Sequence, residues 1–185
     1  MSPHVLVPFS DGVEEIELAT IVDVLRRAGA DVTTAGLKPG PITGRSRMIL
    51  MPGASLDDAL ATRGAFDLVV LPGGLPNAHL LRDDPRIVAL VQSEAAAGRK
   101  VAAICAAPSV LLHAGLLNDV PATSYPGALK GHPANLLRDD PVVVSGNITT
   151  SRGPGTAMAF ALSLVESLFG AKTAVKIAGD VLADR

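Results

Sequence analysis

The chain has one cysteine, no tryptophan and a single tyrosine, and aromatic residues make up only 3% of its 185 positions. A lone cysteine cannot close an internal disulfide, so the fold must hold without one, as in reducing compartments. Sparse aromatics leave a core built from Ala, Val, Leu and Ile, residues suited to strands covered by helices on both faces. Charge of one sign is lacking too: 16 Lys plus Arg stand against 18 Asp plus Glu, for a formal charge of -2. No basic patch calls for nucleic acid, and no acidic block marks a disordered tail. No apolar run reaches the roughly 18 residues of a membrane span. Met1 leads directly into the strand-like His4–Pro8 with no secretory pattern of charged, apolar and small-residue regions. A cytoplasmic protein without membrane contact is expected.

What is present is alternation. Short apolar runs trade places with amphipathic Ala/Leu-rich stretches, the pattern of a doubly wound α/β domain with a mostly parallel sheet. Strands are expected at His4–Pro8, Asp31–Leu37, Asp67–Leu71 and Arg99–Ile104, and a hairpin at Val142–Ser145 and Ile148–Thr150 around Gly146-Asn147. Residues 14 to 28 read as a helix, with Leu18, Ile21, Val22 and Leu25 on one face. Further helices are expected at Asp84–Ala97, with Pro85 at its first position, and at Pro108–Ala114, Thr156–Phe169 and Ala171–Leu182. Lys38–Gly53 reads as a loop with a short hairpin around Met48–Met51. With no repeat or long linker, residues 1–185 are expected to form one domain.

The segment Val101–Pro108 carries the strongest chemical signal. A buried strand ends at Ile104, and a helix starts just past Cys105. Ala103 and Ala107 stand two residues either side, as small residues flank the nucleophile of a strand–turn–helix elbow. A thiol there meets backbone N–H groups, which favour thiolate, so its pKa is expected well below the free value of about 8.5. The competing reading, an inert buried cysteine, is the commoner fate of a free thiol. Context favours the reactive one.

Glu17 falls on the flank of the apolar face of the first helix, where burial would raise its pKa and let it donate a hydrogen bond to the sulfur. Glu14 and Glu15 read as first-turn acids complementing the helix dipole. Gly73 and Gly74 follow a buried strand, where their N–H groups could approach a developing oxyanion. Gly153-Pro154-Gly155 lacks the spacing of a dinucleotide fingerprint, so no cofactor is implied. The histidines, His4, His79, His113 and His132, show no metal-ligand spacing. His132 is retained as a possible auxiliary residue and His113 is read as structural or surface.

Glu14–Glu17, Ala54–Asp57, Asp67–Gly74, Ala102–Pro108 and Thr150–Thr156 together, in this order, resemble the ThiJ/PfpI superfamily, on the branch of the parkinsonism-associated deglycase and the bacterial YajL. The resemblance implies a flavodoxin-like fold and a homodimer. It implies Cys105 as nucleophile and oxidation-sensitive thiol, and Glu17 as its hydrogen-bonding acid. Gly73, Gly74 and Ala106 would supply backbone contacts, and Arg47 and Arg152 would lie near the pocket and interface. Many members carry a histidine where this chain has Tyr125, and YajL-like proteins also lack that histidine. A protease-like or amidase-like Cys–His dyad therefore lacks its usual base. The function implied is hydrolysis of a small reactive carbonyl, such as an α-oxoaldehyde, or of an early glycation adduct on a protein. A non-enzymatic oxidative-stress sensor or redox-regulated chaperone would use the same cysteine.

Overall fold

The central strands are mostly apolar runs because each is buried from both sides. In β1 (His4–Phe9), Val5, Val7 and Phe9 enter one core while Leu6 enters the other. The same period of two places Leu68 and Val70 of β6 (Leu68–Leu71) opposite Val69 and Leu71. It also divides Ala102 and Ile104 of β7 (Lys100–Ile104) from Val101 and Ala103.

The computed structural model describes residues 2–183. With β2 (Asp31–Gly36), β5 (Ala54–Ser55), β8 (Val142–Ser145) and β9 (Ile148–Ser151), these strands form one seven-stranded sheet of order β5-β2-β1-β6-β7-β9-β8. All neighbours are parallel except β8 and β9, which form the expected hairpin. Helices α1 (Glu15–Arg27), α6 (Ala157–Phe169) and α7 (Ala171–Asp180) cover one face. The other is covered by α2 (Leu56–Thr62), α3 (Asn77–Asp83), α4 (Pro85–Ala96) and α5 (Pro108–His113). The fold is the flavodoxin-like α/β arrangement expected. Among the described residues no helix is long and apolar enough to cross a membrane.

Strand order reverses between β1 and β6, and at such a switch point the loops leaving the carboxyl ends open a crevice. The segments after β1, β6 and β7 meet there. Three local expectations are corrected. The hairpin near Met48 starts earlier, pairing β3 (Ile42–Thr43) with β4 (Ile49–Leu50). The helices α2 and α3 and the two-residue strand β5 were not expected, since seven residues give too few turns for periodicity to register. Ser55 does mark α2 by accepting the Asp58 N–H.

Candidate active site

Cys105 continues the β7 ladder by one residue, donating its N–H to the Ser151 carbonyl over 3.0 Å. Its backbone then turns into the left-handed region, at φ 65°, before Pro108 opens α5. A side chain other than Gly is held there at a cost of about 1–3 kcal/mol, which the surrounding structure must impose. The constraints are visible: Tyr125 N–H donates to the Cys105 carbonyl over 2.8 Å, and Ala107 N–H to that of Ile104 over 3.0 Å. Ala103 and Ala107 are fully buried on either side of the turn. The elbow read from the sequence is present.

Glu17 comes from the first turn of α1 and is completely buried. Its Oε2 accepts the Gly73 N–H over 2.8 Å, while Oε1 is buried without a hydrogen-bond partner. Cys105, beside it, shifts its titration, as do the charges of Glu14 and Arg45. Gly73 separates Cys105 from Glu17. A Cβ built on it would stand 2.5 Å from Cys105 Cβ and 2.8 Å from Glu17 Oε2. Gly74, at φ 86°, is pressed as closely against the turn before α1, 2.2 Å from the Gly12 carbonyl oxygen to a built Cβ. Both glycines are therefore required by space. Asn77, fully buried at the head of α3, fastens these loops. It accepts the Ser10 N–H over 2.7 Å and donates to the Pro72 and Gly73 carbonyls over 2.8 and 2.9 Å.

Electrostatically the two groups act as one unit. Burial pushes Glu17 up to about 7, against the Gly73 hydrogen bond that favours its charge. Burial, and then the Glu17 carboxylate, push Cys105 up to about 12, opposed by the N–H groups of Gly74 and Ala106. The pair thus releases one proton near 7 and the next near 12. This corrects the expectation of a low pKa for the thiol alone. Neither desolvation nor a facing acid enters a local motif.

A cavity of about 370 Å³ opens over the sulfur, walled by Glu14, Arg45, Gly74, Leu75, Ala106, Tyr125 and Pro154. Arg45, not Arg47, is its cation, ion-paired to Glu14 over 3.0 Å. Arg45 N–H is held on the Val13 carbonyl, whereas Arg47 occupies the next turn at φ 71° with an exposed side chain. Glu14 and Glu15 do more than face a helix dipole. Glu14 anchors Arg45, and Glu15 Oε1 accepts the Ser46 N–H over 2.9 Å.

Residues 3–167 match the DJ-1/PfpI family. The chain belongs to the DJ-1/PfpI family. It is 40% identical over 186 residues to Protein dj-1beta of Drosophila melanogaster, with 98% of each chain covered. It is 36% identical over 170 residues to a Caenorhabditis elegans protein named glutathione-independent glyoxalase DJR-1.2, covering 91% of this chain and 89% of that one. The solved structure of oxidized DJ-1 from Toxoplasma gondii covers 100% of both chains at 35% identity, with a TM-score of 0.94.

Within this family member, the structure brings together Cys105, Glu17, Gly73, Gly74, Ala106 and Tyr125. Gly73 N–H is taken up by Glu17, leaving Gly74 and Ala106 as the N–H groups beside sulfur. Arg152 and His132 lie outside the Cys105 cavity, in an adjoining one. His113 is exposed on α5. Arg45 and Asn77 were missed by sequence reasoning. Asn77, beside Gly73-Gly74 and Pro76, carried the signal of an Asx residue in a turn. Arg45 carried none, because only the chain path brings it over Cys105.

Proposed function

We propose that the protein is a glutathione-independent, glyoxalase-type or deglycase-type enzyme that handles reactive carbonyls through Cys105. The observation that carries this reading is a thiol on a strained elbow facing a fully buried carboxyl that titrates near 7. In the reactive form the thiol proton has passed to Glu17 and the charge sits on sulfur. The thiolate adds to the aldehyde carbon of an α-oxoaldehyde, and the new oxygen takes a proton to give a hemithioacetal. Glu17 carboxylate then removes the proton on that carbon and returns one to the neighbouring carbon, leaving a thioester. Water hydrolyses the thioester to a 2-hydroxy acid and restores the thiol. No net oxidation occurs, and no cofactor is needed.

The 36% identical relative named a glyoxalase supports this reaction class. So does a general acid–base whose pKa lies near neutral pH, where proton transfer in both directions is efficient. The test is lactate formation from methylglyoxal by wild type and Cys105→Ser. Turnover in the wild type alone is the expected result, and equal product from both proteins would overturn the reading.

A second reading, an oxidation sensor, is favoured by the Gly74 and Ala106 N–H groups around sulfur. Such donors would stabilise a sulfinate. The proposal extends to a homodimer. An apolar groove of about 560 Å³ between α1 and the β3–β4 hairpin is rimmed by the exposed Ile16, Met48 and Met51. A second copy would cover these side chains. Sedimentation as a species of 18.9 kDa at micromolar concentration would refute it.

A further inference from the structure

His132 is only 6% exposed, yet neither ring nitrogen has a hydrogen-bond partner. An unmade hydrogen bond on a buried polar group costs about 1–3 kcal/mol, and native structures hold few of them. The imidazole lies in the wall of a cavity of about 400 Å³, beside Lys130, Arg138 and Arg152. Three cations line that cavity against one acid, Asp139. It pairs with Arg152 over 3.1 Å from a side chain that is 96% exposed. Arg138 rests on the Asn135 and Leu137 carbonyls, and among the described residues neither it nor Lys130 is ion-paired. The cavity therefore carries net positive charge, and the two unpartnered ring nitrogens lie buried behind its wall.

It also neighbours the cavity over the thiol. A shallow depression lined by Tyr125, Arg152 and Pro154 adjoins the cavity at Tyr125 and Arg152. It adjoins the Cys105 cavity at Tyr125 and Pro154. The half-exposed Tyr125 lines all three.

We propose that the His132 cavity is an oxyanion subsite for phosphate or carboxylate, adjoining the Cys105 cavity. Lys130, Arg138 and Arg152 supply the charge, and on binding the His132 ring turns one of its unpartnered nitrogens toward the anion to fix its position. Resting on the reactive-carbonyl reading, it names the substrate class as carbonyl compounds with an anionic tail. A metal ion is disfavoured by the same three cations.

The test follows imidazole resonances of Cys105→Ser protein by NMR while inorganic phosphate or acetate is added at constant ionic strength. Using that variant makes the result independent of thiol chemistry, so a failure to turn over methylglyoxal and a failure to bind an anion are separate outcomes. His4, His79 and His113 lie elsewhere and serve as internal references. Saturable movement of His132 alone is expected, weakened at least tenfold in Lys130→Ala/Arg138→Ala. Both altered side chains are exposed, so a folded protein with the reference resonances unmoved is expected. A response to phosphate alone assigns the subsite to phosphate, and a response to acetate of equal strength assigns it to carboxylates. The proposal is overturned if His132 moves with neither anion, if all four histidines move together, or if the double variant binds as the parent does.

Discussion

The Gly73 N–H donates to Glu17 Oε2 over 2.8 Å, and in doing so holds the carboxyl beside Cys105, whose side chain shifts its titration. One backbone amide thereby orients the acid whose ionisation is coupled to that of the thiol. Several properties of the protein depend on that contact.

Gly73→Ala is expected to damage both chemistry and folding. The new methyl group would lie 2.5 Å from Cys105 Cβ and 2.9 Å from the Ile104 carbonyl oxygen, backbone that cannot step aside. Overpacking of this kind costs about 1–3 kcal/mol. Misplacing reacting groups by an ångström costs on the order of 100-fold in rate. Urea denaturation and methylglyoxal kinetics on one preparation check both figures, and wild-type values in either would contradict the packing described.

Glu17→Gln separates proton transfer from hydrogen bonding. The amide can still accept from Gly73 and donate to sulfur, but it cannot move a proton between carbons. Turnover should fall by roughly 10²–10⁴, while Cys105 remains oxidisable by peroxide, as read by mass spectrometry. A variant retaining full turnover would remove Glu17 from the mechanism.

The same substitution should change how stability depends on pH. Glu17 titrates near 7 in the fold against a model-peptide value of 4.5, so between these values the folded state holds more protons than the unfolded. Stability then falls as pH rises through that window. The whole shift amounts to about 3 kcal/mol. Denaturation midpoints at pH 5 and pH 8 should therefore diverge more in wild type than in Glu17→Gln. Superimposable pH profiles would show that Glu17 ionises freely.

Removing the Glu17 charge should also ease the second ionisation of the pair. In wild type the Cys105 thiol, facing a carboxylate, is held up to about 12. In Glu17→Gln the burial contribution remains and the repulsion is gone, so thiolate absorbance should saturate at distinctly lower pH. Cys105→Ser supplies the baseline that subtracts Tyr125. An unchanged midpoint would mean that burial alone sets the thiol.

Asn77→Ala should be costly although Asn77 is remote from any reacting atom. It strands the buried Ser10 N–H and removes a donor from the Pro72 and Gly73 carbonyls. The Gly73 carbonyl keeps the Glu14 N–H, so two groups are stranded, and at about 1–3 kcal/mol each a loss of about 2–6 kcal/mol is expected in chemical denaturation. A loss below 1 kcal/mol would show that water takes over those bonds.

Much of this molecule was legible in the chain itself. Apolar runs such as Leu68–Leu71 specify strands buried on two faces, and Ala103 and Ala107 around Cys105 specify the elbow, because both are local consequences of side-chain size and periodicity. Glu17 was legible for the same reason: helical spacing alone carries it toward the core with Ile21 and Val24. Other features arise only when distant segments meet. Which arginine overlooks Cys105 depends on the path of the loop pinned to Val13, so Arg45 and Arg47 cannot be ranked by spacing. The titration of Cys105 was misjudged because burial and the facing Glu17 carboxylate reverse the pull of local N–H groups. The stranded nitrogens of His132, too, exist only once Lys130, Arg138 and Arg152 are gathered into one cavity. Desolvation and charge proximity are properties of volume, and the chain acquires them only by folding.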